Sequence, residues 1–231
     1  MAHSYYHSKS SVRKFGGTVK LYLPVHSWFD ATKAIRADFR HRALRHHKQG
    51  TILAKQIFGE YIKEYKEDKR MNIVGNNLVS VEQIGEQHNT EDFQCNPDAS
   101  DWYSLITLQD WMEKKLPSDV IEKLLIRKFS GEIGDYQFLI NFFDQFNTDD
   151  PRSKFILNHS WGIFDAESVF GVVFNRKSDG KEIPTRTVAE SVLCTNFGKI
   201  PTPHEWIESI TEASWMYNKA LNLSKIHAII S

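Results

Sequence analysis

The sequence predicts a mainly α-helical protein, with a small β-hairpin in each of two similar units related by a pseudo-twofold tandem duplication. Three observations predict it. Motifs recur in the same order along the chain: "RKFGG" at 13–17 returns as "RKFSG" at 127–131, "DFRHRALRHHKQG…IFG" at 38–59 as "DDPRSKFILNHSWG…VFG" at 150–171, and the closing "DW…WM" around Trp102 and Trp111 as "EW…WM" around Trp206 and Trp215. The offset between matched residues is 114, then 112, then 104, and it changes only at loop-like places, as a duplicated unit with trimmed loops requires. Apolar residues keep helical spacing between glycine stops, and "VVFNRKSDGKEIPTRTV" sets an Asp-Gly pair among β-favouring residues, the pattern of a hairpin turn. The expected units are residues 1–116 and 117–231.

Taken in order, "SSVRKFGG" and "PSDVIEKLLIRKFSG" read as helices ended by glycine, the second opened by Pro117 and Ser118. Residues 30–47 and 51–58 read as helices broken at Gly50, with 151–160 and 163–170 as their counterparts. The charged "EYIKEYKEDKRMNIVGNNLVSV" stands in the first copy where the hairpin stands in the second, giving one minor two-stranded element per copy. "PDASDWYSLI" and "TPHEWIESI" read as short helices, with Asp98 or Ser100 and Thr202 as N-caps. The tail "MYNKALNLSKIHAII" reads as a last helix that offers Leu221, Ile226 and Ile229 for packing. Units of this size seldom bury enough core alone, so the two are expected to share one through their apolar faces.

Composition bounds the function classes. The 231 residues carry 41% hydrophobic and 13% aromatic side chains, ample for a globular core, and 29 Lys+Arg balance 29 Asp+Glu. That balance gives no whole-molecule field toward nucleic acid, and no stretch approaches the length of a membrane span. Cys95 and Cys194 form no CxxC and occupy unmatched positions in the two copies, and "MAHSYYHSKSS" lacks the apolar run of a signal peptide. A reducing cytoplasm is the expected compartment.

The polar residues diverge between copies more than the rest. Pairs retained in both are mostly aromatic, glycine and Trp-Met positions, which packing and tight turns demand. By contrast His26 is matched by Ile140, His41 by Ser153, Arg42 by Lys154, Arg45 by Leu157, His46 by Asn158 and His88 by Val192. Three pairs persist, His47 with His159, Glu86 with Glu190 and Asp30 with Asp144, and read as structural hydrogen-bonding groups. On a helix Asp38, His41, Arg42 and Arg45 fall at i, i+3, i+4 and i+7, on one face, which is either a site or a solvated face laced by Asp38–Arg42 pairing. Residues 33–48 carry six Lys/Arg against one Asp, and 82–101 carry six Asp/Glu and no Lys/Arg, so the two segments are expected to neutralise each other. A basic helix so covered offers few phosphate contacts to a nucleic acid.

"MAHSYYHSKSSVRKFGG", "HSWFDATKA", "DFRHRALRHH", "IGEQH…ED" and the closing "DW…WM" resemble, in order, the landmarks of a family of small uncharacterised proteins of bacteria and bacteriophages. The resemblance covers nearly all of the first copy, with the second as a diverged relative that keeps the family's "SDGKEIPTR" stretch. It implies a bacterial or viral cytoplasmic source and assigns no activity.

Two site chemistries follow, both in the first copy. In one, His41, Arg42 and Arg45, with His26, His88 and Glu86, bind an anion: a phosphate-bearing small molecule or nucleotide, or a host protein, in an accessory protein without a catalytic motif. In the other, His26, His41 and His88 with Asp30 converge on zinc, manganese or iron, and an open position activates water for hydrolysis. Glu86 would orient a histidine in either. A purely structural or interaction protein is the third reading.

Overall fold

The computed structural model describes residues 3–68 and 73–217, so most of the expected tail helix lies outside the described residues. The first repeat contains α1 (Ser4–Phe15), α2 (Val19–Ala31), a 3-10 helix over Phe39–Leu44, α3 (Lys48–Phe58), the strands β1 (Tyr61–Asp68) and β2 (Ile73–Ser80), α4 (Val81–Phe93), α5 (Ala99–Tyr103) and α6 (Asp110–Glu113). The second follows the same order: α7 (Ser118–Phe129), α8 (Gln137–Asp144), a 3-10 helix over Pro151–Ile156, α9 (Ser160–Phe170), β3 (Val173–Asn175), β4 (Glu182–Pro184), α10 (Thr185–Phe197), α11 (Pro203–Ile207) and a 3-10 helix over Ser214–Tyr217. The protein is mainly helical with two antiparallel two-stranded hairpins, β1 with β2 and β3 with β4.

Local chemistry repeats with the topology. His47 and His159 each cap a helix by accepting a hydrogen bond at Nδ1 from the amide of Gly50 or Gly162, 3.0 Å in both. A Cβ at Gly50 would lie 1.9 Å from the Arg45 carbonyl oxygen, and one at Gly162 1.9 Å from that of Leu157, so only glycine admits this return of the chain onto its helix. Tyr22 and Tyr136 donate to the carbonyls of Gly16 and Ser130 at 2.8 and 2.7 Å.

The helix expected over 30–47 is not continuous. After α2 comes one 3-10 turn at Thr32–Ala34, and Asp38 then adopts extended backbone while its carboxylate accepts from the Arg40 amide. That local hydrogen bond caps a new, tighter helix instead of letting the first continue. The carboxylate pairs with Arg36 at 2.6 Å, and the expected Asp38–Arg42 pair does not form.

The chain forms two compact units whose boundaries differ from those of the repeats. One comprises Met1–Asp101 with Ile210–Ser231, and the other Trp102–Ser209. In the first unit Tyr22, Val25, Phe29, Ala54, Val79, Val81 and Ile84 form a core cluster, and Trp215 meets Phe93 edge-on at 5.5 Å. In the second, Trp206 is fully buried and donates to the Asn158 carbonyl, and Trp111 packs on it at 4.6 Å. Lys154 donates to the carbonyls of Met112 and Lys114 at 2.8 and 3.0 Å. Each unit is thus completed by the closing Trp-Met segment that the sequence assigns to the other repeat.

Candidate metal centre

Three helices of the first unit each present two polar groups one turn apart. Positions i and i+4 share a helix face, and α1 places His7 and Ser11 there, α2 His26 and Asp30, and α4 His88 and Asp92. His41 and Arg42 join from the 3-10 helix over Phe39–Leu44, and His46 follows it. His26, His41, His46 and His88 are fully buried, and His7 and Asp92 keep only 1% and 3% exposure.

Hydrogen bonds fix which ring nitrogens carry protons. The Glu91 carboxylate can only accept, so the Gln87 amide nitrogen donates to it at 2.7 Å and His7 Nδ1–H donates to it at 2.6 Å. Gln87 Oε1 therefore accepts from the Ser11 hydroxyl at 3.1 Å, which leaves Ser11 Oγ to accept from His26 Nε2–H at 2.8 Å. The other nitrogen of His26, with no proton, accepts from His88 Nδ1–H at 3.0 Å. His41 Nδ1–H donates to the Asp38 carbonyl at 2.5 Å. Neutral His7, His41 and His88 thus each hold a lone pair on Nε2, the orientation in which an imidazole binds a metal while its other nitrogen is held by a hydrogen bond.

These lone pairs converge on two carboxylates. His88 Nε2 accepts from His46 Nε2–H at 3.0 Å, the next step of the same relay, and both nitrogens lie 3.9 Å from Asp30 Oδ1. Asp92 Oδ2 is 3.6 Å from His46 Nε2, and its Oδ1 is 3.6 Å from His7 Nε2. Three sets of donors gather within 4.8 Å: His7, Asp30 and His88; Asp30, His41 and His46; and His46, His88 and Asp92. Neither oxygen of Asp30 or Asp92 has a hydrogen-bond partner among the described residues. Cations stand beside them in ion pairs that lack hydrogen-bond geometry, Lys33 Nζ at 2.6 Å from Asp30 Oδ1 and Arg42 Nη2 at 3.1 Å from Asp92 Oδ2.

Burial disfavours the charged form of several of these rings. It lowers the pKa of His26 to about 3 and holds His46 and His88 well below the usual imidazole range. His41 is lowered by burial as well. Burial acts to raise the Glu91 carboxyl, but the hydrogen bonds from His7 and Gln87 outweigh it and bring the pKa down to about 2. Glu91 and Gln87 also line an open cavity of about 430 Å³ with Ser10, Lys14 and Glu86, so the network ends at solvent.

Of the residues the sequence singles out, Asp30, His41 and His88 lie in the donor cluster, and His26 sits behind His88 as its hydrogen-bond partner. Asp30, read from the sequence both as a structural group and as a metal ligand, pairs with Lys33 at 2.6 Å, a contact whose counterpart in the second repeat is Asp144 accepting from Asn147 at 2.7 Å. Glu86 is exposed on the cavity wall, and the carboxylate that orients a histidine is Glu91. Arg45 donates to the Trp28 carbonyl at 2.6 Å with its guanidinium 4.1 Å from the centre of the Trp28 ring, and Arg42 is drawn to Asp92 and the Phe93 ring. Sequence reasoning missed His7, Glu91 and Asp92 and left His46 out of the site. The i, i+4 pairs on α1 and α4 are the signal that would have found His7 and Asp92.

The second repeat shows what the same scaffold does without the cluster. At the offsets read from the sequence, His7, Ser11, His26 and His88 correspond to Ile121, Leu125, Ile140 and Val192, all buried in an apolar core, and Asp92 corresponds to Asn196. Packing therefore does not require the polar groups.

A family model for a domain of unknown function (DUF6915) matches residues 2–112 and again residues 122–216. No curated protein and no solved structure matches the chain. No described helix is long and apolar enough to cross a membrane.

Proposed function

For a chain that belongs to the DUF6915 family, as two tandem copies of its domain, we propose that the first copy is a divalent-metal centre of hydrolytic type and that the second is a scaffold without one. The observation that carries this reading is the convergence of Nε2 of His7, His41 and His88, each ring held by a hydrogen bond at Nδ1, with the carboxylates of Asp30 and Asp92 in a buried cluster. Lys33 and Arg42 offset part of the cost of bringing lone pairs and anionic oxygens together away from water, and a metal ion among the donors would offset more of it. Mixed nitrogen and oxygen donors suit zinc, manganese or iron, and no cysteine joins the set, since Cys95 and Cys194 are both exposed.

The chemistry such a centre supports is the activation of water against an ester or phosphoester, with the ion lowering the pKa of its bound water. Asp30 keeps 10% side-chain exposure and Lys33 32%, so a cation stands at the edge of the cluster, and a cation there suits an anionic substrate. The anion-binding reading without metal has less support, because the guanidinium groups of Arg42 and Arg45 are engaged by Asp92 and by Trp28. Elemental analysis of the purified protein tests the proposal. Zinc, manganese or iron should be present in the wild type and lost in His88→Ala, together with turnover of a chromogenic phosphodiester. A wild-type protein that takes up none of the three metals on reconstitution overturns it.

A further inference from the structure

Resting on that reading, we infer that the centre holds two ions, bridged by Asp30 and Asp92. Two of the three donor sets meet at Asp30: His7 and His88 form one with it and His41 and His46 the other, and the carboxylate is the only member those two share, while the third set joins one histidine of each pair, His46 and His88, to Asp92. Asp92 repeats the pattern with its own two oxygens, Oδ1 facing His7 and Oδ2 facing His46, each at 3.6 Å. A carboxylate whose oxygens face different imidazole pairs is placed to bridge, and both oxygens of Asp30 are buried without a hydrogen bond, as a bridge from that residue also needs.

Coordination number points the same way. One ion taking all six side chains would be octahedrally saturated by protein and leave no position for water or substrate. Two ions, each with two imidazoles and shared carboxylates, stay unsaturated, and a separation of about 3.5–4 Å lets them hold one bridging water or clamp two oxygens of one phosphoryl group. Two divalent cations against two carboxylates also leave net positive charge, so the preferred substrate class is an anionic phosphoester. Asp30 and Asp92 belong to different helices, α2 and α4, so the bridges would tie those helices together across the site.

The test is titration of chelator-stripped full-length protein with Mn²⁺, followed by elemental analysis and electron paramagnetic resonance. The wild type should bind about two equivalents with an exchange-coupled multiline spectrum, as ions sharing a bridge require. His41→Ala and His7→Ala, one from each histidine pair, should each halve the manganese content and convert the spectrum to the six lines of an isolated ion. Circular dichroism establishes that each variant is folded, and with either one misfolded the other carries the test. A wild type saturating at one equivalent overturns the two-ion inference while the metal-centre reading stands, and no binding overturns both. Two equivalents without coupling, or unchanged content in both variants, also overturns the bridge.

Discussion

Glu91 is the far end of two hydrogen-bond paths, one directly to His7 and one through Gln87, Ser11 and His26 to His88. Glu91→Ala should therefore lower metal affinity about 10–100-fold, the usual effect of losing a group that orients a ligand, with little change in the melting of the metal-free protein. Chelator competition measures it, and unchanged affinity would mean that the paths do not set the tautomers. Replacing His7, His26 and His88 by the Ile, Ile and Val of the second repeat, with Asp92→Asn, should abolish metal binding and leave the metal-free protein as stable or about 1–4 kcal/mol more stable, because a buried polar cluster is traded for packed apolar groups. Denaturant unfolding in chelator checks the gain. Acid acts on the buried imidazoles. His26 and His47 have folded pKa values of about 3 and about 4, with burial the main cause, below the ordinary 6.5. Between those values and 6.5 the unfolded chain binds protons that the folded one does not, so the stability of the metal-free protein should be full above pH 6.5 and fall as pH drops toward 3. Denaturation midpoints that stay flat across that window would contradict neutral buried rings. His26, His41 and His88 were legible in the sequence because the second repeat replaces each of them. His7, Glu91 and Asp92 are replaced as well, by Ile121, Thr195 and Asn196, but they went unread because they meet the others only where three helices come together, and Glu91 and Asp92 sit inside an acidic run that reads as charge neutralisation.

Helix starts matched between repeats in the sequence reappear at the same offsets in the structure for α1 and α7, α3 and α9, and α4 and α10, and at α3 and α9 a histidine cap and a glycine fix the start locally. The broken segment after α2 was not legible, since six Lys/Arg among His and Ala keep helical spacing while Asp38 decides otherwise through one hydrogen bond. At the starts of α3 and α9, Gly50→Ala and Gly162→Ala should each cost about 3 kcal/mol or more, because the added carbon overlaps a backbone oxygen that no side-chain rotation can move. Melting temperature reads this directly, and a wild-type value in either variant would refute the close approach. Ser130 is a milder case. It holds φ of 65° with ψ of −171° at the end of α7, where the first repeat has Gly16. That region is nearly exclusive to glycine, so Ser130→Gly should stabilise the protein by about 1 kcal/mol.

At the scale of the whole chain, the duplication was legible but the division into compact units was not. Repeats are read along the sequence, whereas Trp111 finds Trp206 and Trp215 finds Phe93 only through the fold. A fragment covering 102–209 should therefore fold more cooperatively than one covering 118–217, although the second follows the repeat, and comparing their thermal transitions is the measurement. The same trade of closing segments bears on descent. Once each half is finished by residues encoded at the end of the other, losing either half strips the survivor of its last piece. The second repeat, which holds other residues at the positions of His7, His26, His41, His46 and His88, would then be kept by obligation rather than by chemistry, as a permanent tenant that supplies the Trp215 edge against which the first unit closes on Phe93.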